Sequence, residues 1–389
     1  MSQPKFCVKV VGSMNWDIIN RVESHHEGWQ HASFPNGPSI DPCPGGHGVN
    51  QATAVYRASH RSPFDSRSLP KAGKVPEDVQ VYMIGMIGED EDNRGEKIKN
   101  ALADNGVHVA GVHSARNIRN GYAHIYVDMQ GIPRIHNDPL ANGRLTWDVV
   151  EEELEKTPRA DLILVQLEIP QETVLRTIGY ANKNQIPIIF NSAPVPSDSS
   201  FLYSHPLLYE VDHLILNHHC VEAICITRAP KSENRLDDGM ASVPNIQKLY
   251  SQYCDHFHRL GARCVVITLG HRGVLASYME PPDASGERGQ RSFFYPAKKQ
   301  KQEVVDETGA SDAFIGAYAV EILRQMKTPA NSGLNPIDVD LDIGTAIEHG
   351  IKAGSLTTEN FGSFPAIPWR DQWIGPEIKW LSANPFVLH

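Results

Sequence analysis

The stretch Val305-Asp306-Glu307-Thr308-Gly309-Ala310-Ser311-Asp312 brings together residue types that can move a phosphate. A β-rich run ends at Val304–Val305, and an apolar-periodic helix opens at Ala310 and runs to about Gln325. The turn at Thr308 and Gly309 places the N–H groups of Gly309, Ala310 and Ser311 at a helix N-terminus, where the dipole favours an anion. Asp312 sits in the first turn beside that anion site. A carboxylate next to a phosphate cradle makes chemical sense if it takes the proton from a hydroxyl that attacks the phosphate. An ordinary helix start, with Thr308 as N-cap and Asp312 complementing the dipole, accounts for the same letters. The segment alone leaves both readings open.

Further polar groups recur where strands end. Gly12-Ser13-Met14-Asn15-Trp16-Asp17 follows the apolar run Phe6–Val11, and ligands of open α/β sheets sit at the C-terminal ends of strands. Asn15 and Asp17 offer the mixed donor–acceptor set that sugar hydroxyls need, although an Asx-stabilised turn explains them too. Pro44-Gly45-Gly46-His47-Gly48-Val49-Asn50-Gln51 puts glycines before a helix, where backbone can approach a ligand closely. Gln51 replaces the last glycine of a dinucleotide fingerprint and the segment follows an irregular loop, so a Rossmann cofactor site is rejected. Gln166-Leu167-Glu168 ends a buried strand, and Asn191-Ser192-Ala193-Pro194 follows another. Glu168 reads equally well as an exposed acid before a helix that starts after Pro170. Asn217-His218-His219-Cys220 does not have the spacing of a closed zinc site. Thr268-Leu269-Gly270-His271-Arg272-Gly273 reads as strand, tight turn and strand. A Walker A sequence is absent, and His26-Glu27 with His31 is not a metalloprotease motif.

The elements that must position these residues alternate. Strands are expected at Phe6–Gly12, Val81–Met86, 161–166, 186–190, 212–216 and 263–269. Helices are expected at 49–59, 92–105, 171–184, 219–227, 245–260, 310–326 and 342–358. Such alternation implies a mainly parallel sheet covered on both faces. Tyr122–Asp128 and Ile132–His136, with Met129-Gln130-Gly131 in the turn, form a hairpin that breaks the pattern and suits a small β appendage. Residues 20–45 read as irregular, and 60–79 and 280–291 as insertions. One domain over 1–389 is expected, a split near 230 being the alternative.

Composition bounds the rest. Of 389 residues, 41% are apolar and 21% charged, which suits a packed globular core. A net charge of −10 argues against a nucleic-acid partner, and no apolar run is long enough for a membrane span. Six scattered cysteines without Cys-x-x-Cys pairs read as reduced thiols of a cytoplasmic protein, and no signal-peptide pattern precedes the first strand.

In this order, from about Lys9 to Trp369, the motifs resemble the ribokinase family of carbohydrate kinases (the PfkB type). The resemblance implies a ribokinase-like three-layer α/β/α sandwich with a small β lid drawn from about 18–44 and 118–138. It implies transfer of the ATP γ-phosphoryl group to a primary hydroxyl of a pentose, D-ribose first. Asp312 would be the general base, and the amides of Gly309, Ala310 and Ser311 the anion hole. Asn15, Asp17, Gly45, Gly46, His47, Asn50 and Glu168 would hold the sugar. Asn217, Thr268, Gly270, Gly273 and Gly309 would line the ATP, with Mg²⁺ on its phosphates. Asp306 and Thr308, with a segment near Gly362–Ile367, would form a monovalent-cation loop for K⁺. Sugar and ATP are the implied partners, in a homodimer joined through the lid. The chain departs from the family at His47 (Lys), Cys220 (Glu), Ser311 (Gly) and Ala366 (Ser). Those departures leave two alternatives: a member that binds sugar or nucleotide without phosphorylation, and a kinase of another sugar or a nucleoside.

Overall fold

The computed structural model describes residues 6–23, 42–63, 78–195, 200–225, 243–283, 285–286, 288–297, 303–328, 331, 339–374 and 386–388. The chain opens with β1 (Phe6–Val11), β2 (Asn15–Arg21), β3 (Cys43–Gly45) and α1 (His47–Ser59). β4 (Val79–Gly88), α2 (Arg94–Asp104) and β5 (His108–Ala115) lead to a hairpin of β6 (Gly121–Val127) and β7 (Pro133–Asp138). Next come α3 (Trp147–Glu155), β8 (Leu162–Gln166), α4 (Gln171–Lys183), β9 (Ile188–Asn191), the short α5 (Ser200–Ser204), β10 (His213–Asn217) and α6 (His218–Cys225). α7 (Val243–Arg259), β11 (Cys264–Thr268), β12 (Gly273–Met279) and β13 (Gln290–Pro296) precede α8 (Ala310–Met326), α9 (Ile343–Thr357) and β14 (Phe386–Leu388).

Ten strands form one sheet in the order β14-β13-β12-β11-β10-β9-β8-β1-β4-β5. From β11 to β5 every pairing is parallel, and β12, β13 and β14 add antiparallel strands at the far edge. Side chains alternate across a strand, so β1 sends Val8 and Val10 to one face and Val11 to the other. The first face buries α1, α8 and α9, and the second buries α3, α4, α6 and α7. This is the expected three-layer α/β/α sandwich. Strands from both sides of residue 230 share the sheet.

Lys9 interrupts the apolar run of β1, yet only 3% of it is exposed. Its Nζ donates to the carbonyls of Glu153 (2.8 Å), Leu154 (3.1 Å) and Lys156 (2.7 Å). These carbonyls end α3, where a cation complements the dipole and satisfies orphan acceptors. On the other face α1 and α8 lie in close contact. A Cβ on Gly316 would meet the Ala54 Cβ at 2.3 Å, so the glycine is what lets the helices touch. That contact brings the first turn of α8 beside the first turns of α1.

A second sheet of four strands, β3-β2-β6-β7, stands apart as a small β lid. β2 pairs parallel with β6, while β3 and β7 flank them antiparallel. Its core is Ile19, Ala123, Ile125 and Val127. The expected hairpin is present, with β7 ending at Asp138 instead of His136.

Four expectations need correction. Asn15 and Asp17 lie in a strand, not in a turn, because β2 alternates with its polar residues inward. Val304 and Val305 are not in a strand; the Val305 amide instead donates to the Thr358 carbonyl at 2.8 Å. β5 and α3 were not foreseen, since β5 is a half-exposed edge strand and α3 a short amphipathic helix. The irregular stretch 20–45 holds β3 and the end of β2, and its residues 24–41 lie outside the described residues, as do 64–77 of the first insertion.

Candidate active site

The site forms where β1, β8 and β9 end, under the small sheet and against the N-termini of α1 and α8. α1 supplies His47, Asn50 and Gln51. Spaced i, i+3 and i+4, they share one helix face. All three reach Asp312, which is 2% exposed. His47 Nδ1 lies 2.9 Å from Oδ1, Gln51 Nε2 donates to Oδ1 at 2.9 Å, and Asn50 Nδ2 donates to Oδ2 at 3.1 Å. Burial alone would lower the His47 imidazole, but the Asp312 and Glu168 carboxylates outweigh it and push it up to about 10. The cation that a lysine would supply is therefore supplied by an imidazolium.

A buried chain of carboxamides stands behind the acid. Asn191 Nδ2 donates to the Ile215 carbonyl at 3.1 Å, which turns its Oδ1 towards Gln51 Nε2 at 3.2 Å. Gln166 Nε2 donates to Gln51 Oε1 at 2.7 Å. With its oxygen engaged, Gln51 can present only N–H to Asp312.

Glu168 is the second hub. Its Oε2 accepts from the Ser13 hydroxyl and from the His47 amide at 2.8 Å. Its Oε1 accepts from Asn137 Nδ2 at 2.6 Å and Asn15 Nδ2 at 3.5 Å. Asn15 is held in turn by Asn142 Nδ2 at 2.7 Å. Asp17 is the third carboxylate, 2% exposed, with Oδ2 accepting from the Ser363 hydroxyl at 3.1 Å. Burial first, and then repulsion from Glu168, push Asp17 up to about 7. Gly45 pairs across from Asn15, and Gly46 precedes α1 as its N-cap.

The α8 N-terminus departs from expectation in two ways. Gly309, at φ 81°, is the N-cap in place of Thr308, a conformation glycine adopts without strain. The Ala310 amide is not free, because it donates to the Glu307 carbonyl at 3.2 Å. The Gly309 and Ser311 amides have no hydrogen-bond partner among the described residues.

Thr268, Gly270, Gly273 and Asn217 gather at the neighbouring ends of β10, β11 and β12, but none hydrogen-bonds to the carboxylate network. The Asn217 Oδ1 accepts from the Cys220 amide at 2.9 Å, the bond of a helix N-cap. Cys220 is 1% exposed in the core under α6, and burial pushes its thiol up to about 11. A buried neutral thiol and a capping carboxamide do not fit a hard cation that wants oxygen, so this element offers no magnesium cage. Among the described residues no cluster of three His, Cys, Asp or Glu could hold a metal.

The monovalent-cation expectation fits its residues better. Asp306 is fully buried and accepts from the Thr308 and Gly362 amides, both at 2.8 Å. Burial is the main force raising its carboxyl above the ordinary range. The Thr308 hydroxyl is buried beside it, outside hydrogen-bond geometry to any of the described residues. A buried acid and an orphan oxygen are a donor set for a weakly hydrated cation.

Ser13, Gln51, Asn137 and Ser363 belong to the network but were not singled out as site residues. Ser13 and Gln51 flank expected positions, whereas Asn137 lies one residue beyond the expected hairpin and Ser363 falls in the segment expected for the cation loop, not for the sugar. All six cysteines are free. No helix among the described residues is long and apolar enough to cross a membrane.

A sheet of this topology with a small β lid, a buried acid at a helix N-terminus and polar side chains converging on it define a sugar phosphotransferase. The chain belongs to the pfkB family of carbohydrate kinases, whose sequence model matches residues 6–370. It is 29% identical over 364 residues to a ribokinase of Schizosaccharomyces pombe, covering 93% of this chain and 94% of that one. It is 27% identical over 367 residues to a ribokinase of Bacillus subtilis, covering 93% and 96%. Among solved structures it resembles ribokinase from Giardia lamblia, with TM-score 0.70, 22% identity and coverage of 95% and 98%. It also resembles Arabidopsis thaliana ribokinase complexed with ribose and ATP, with TM-score 0.64, 23% identity and coverage of 95% and 96%.

Proposed function

We propose that this carbohydrate kinase transfers the γ-phosphoryl group of ATP to the primary hydroxyl of D-ribose, giving D-ribose 5-phosphate. One observation carries the sugar reading. Asp17 Oδ1, Asn50 Oδ1 and Asn137 Oδ1 are buried acceptors without partners among the described residues. Orphan acceptors are costly unless a ligand supplies donors, and a polyol does. The relatives named ribokinase support ribose, as does the neighbour solved with ribose and ATP.

In this mechanism Asp312 takes the proton as the sugar oxygen bonds to the γ-phosphorus and the bond to the β-phosphate oxygen breaks, releasing ADP. His47 and Gln51 hold the acid through Oδ1. The free amides of Gly309 and Ser311, at the positive end of the α8 dipole, face the transferring charge. Gly45, Gly46, His47, Asn50 and Asp17 contact the sugar, and Thr268, Gly270, Gly273 and Asn217 flank the nucleotide. Asp306 and Thr308 would hold K⁺, which would neutralise a buried carboxylate and steady the loop that feeds the anion hole. The small β sheet covers the site and keeps out the water that would hydrolyse ATP.

We also propose a homodimer joined through that lid. Met129, Ile132 and Ile135 stand about half exposed on its hairpin, a surface that suits a second copy. The free thiols suit the cytoplasm.

The test is ADP release across pentoses, hexoses and nucleosides, with Asp312→Asn as control. Ribose-dependent turnover abolished by the substitution supports the proposal, and a much higher kcat/KM on another acceptor overturns ribose. The departures at Cys220 and Ser311 favour one rival, a binder without transfer. Tight sugar binding with no turnover that depends on Asp312 would establish it.

A further inference from the structure

We propose that Asn137 latches the lid to the sugar site and reads one sugar hydroxyl, an inference that rests on the sugar-kinase reading above. The small sheet sets the geometry. Asp17 pairs with Ala123, and Ala123 pairs with Asn137, so the three residues occupy one row. Residues paired directly across a sheet project from the same face. Asp17 and Asn137 therefore both look onto the site, with the small Ala123 between them. Neighbouring strands lie ~4.8 Å apart, which puts the two backbones roughly 10 Å apart. That gap suits a small ring with a hydrogen bond of ~2.8 Å on either side.

The two ends of the Asn137 carboxamide then divide their work. Nδ2 donates to Glu168 Oε1 at 2.6 Å, a bond from the lid hairpin to the loop after β8. Oδ1 is buried and has no partner among the described residues. A hydroxyl of the acceptor can donate to it.

Glu168 gains a different task from the one its position suggested. A carboxylate has about four acceptor sites. Ser13, His47 and Asn137 take three of them, and Asn15 Nδ2 lies at 3.5 Å from Oε1. Glu168 thus aligns Asn15 and Asn137 and holds the lid down, while the orphan oxygens of Asp17, Asn50 and Asn137 read the sugar. Asn137 is a positioning residue through Nδ2 and a specificity residue through Oδ1.

Two variants of the full-length protein separate these roles. Asn137→Ala removes both ends. Asn137→Asp keeps an acceptor for the sugar but sets a carboxylate against Glu168. The first readout is hydrogen exchange of the hairpin amides at 121–138 in the protein without sugar. The latch predicts exchange at least about 10-fold faster in both variants, with strands of the main sheet unchanged. The second readout is steady-state kinetics on D-ribose. Asn137→Ala should raise KM about 10–100-fold, the range of a lost hydrogen bond to a charged network, and more than it lowers kcat. Asn137→Asp should raise KM less. Unchanged hairpin exchange overturns the latch. An unchanged KM in Asn137→Ala overturns the hydroxyl contact. If the wild-type protein phosphorylates no sugar, the kinase reading fails, yet the exchange comparison still decides the latch.

Discussion

The two halves of the cleft are built differently. On the proposed sugar side, Asp312, Glu168 and Asp17 are held by side chains from α1, β2, β7 and the loops after β1 and α9, in hydrogen bonds that interlock. On the proposed nucleotide side, the Asn217 side chain caps α6, Cys220 is packed into the core, and the Thr268 hydroxyl reaches the Leu216 carbonyl at 3.4 Å. A Cβ on Gly270 would meet nothing within 4 Å. One half is a set of committed side chains, and the other is backbone, a turn and open space. Discrimination among acceptors needs fixed donors and acceptors, because a mismatched hydroxyl then leaves a buried group unpaired. A nucleotide held through phosphates needs less from side chains.

Substitutions on the two sides should therefore differ in scale. Asp312→Asn removes the proposed base and should lower kcat by about 10²–10⁴-fold with little change in the KM for ATP, measured by ADP release. A smaller loss would place the proton elsewhere. Gln51→Met keeps the volume but withdraws a donor to a charged acid, and should lower kcat about 10–100-fold. Its sugar KM should change much less, and equal losses in both would mean that Gln51 acts on binding.

Asp17 tests the sugar side through stability. Its folded value of about 7 lies above its ordinary 3.8, so the stability it contributes is full below about 3.8 and is lost as pH rises through about 7. The stability of the wild type relative to Asp17→Asn should fall between pH 5 and pH 8, by an amount bounded by about 3 kcal/mol and read as a lower relative Tm. A flat difference would mean that Asp17 ionises freely. On the nucleotide side, Asn217→Ala should cost about 1 kcal/mol as a lost helix cap and raise the KM for ATP only a few-fold. A rise of about 100-fold would erase the contrast between the halves.

Much of this was legible in the sequence, for reasons that differ by element. α8 was bounded correctly because its apolar period is long and its start is marked by glycine. The inner parallel strands were readable because burial on both faces makes them continuous apolar runs, whereas the half-exposed parallel edge strand β5 was not. β2 was not, because its inward residues, Asn15 and Asp17, are polar for the sake of the site and invert the usual pattern. His47, Asn50, Glu168 and Asp312 were each named as site residues, and the structure brings them together. Their partners were hidden because partnership is set by tertiary contact: Asn137 meets Glu168 across 31 residues, and Ser363 meets Asp17 across 346. The Ala310 amide was misjudged because only the backbone trace reveals that the Glu307 carbonyl claims it.

The tight seating of Gly316 against Ala54 also bears on how this catalyst could be redesigned. With no slack between those helices, reshaping α1 to admit a bulkier acceptor would drag the proposed base out of line. New acceptor preference is better sought on β7, the outer strand of the small sheet, which among the described residues makes no hydrogen bond to Asp312.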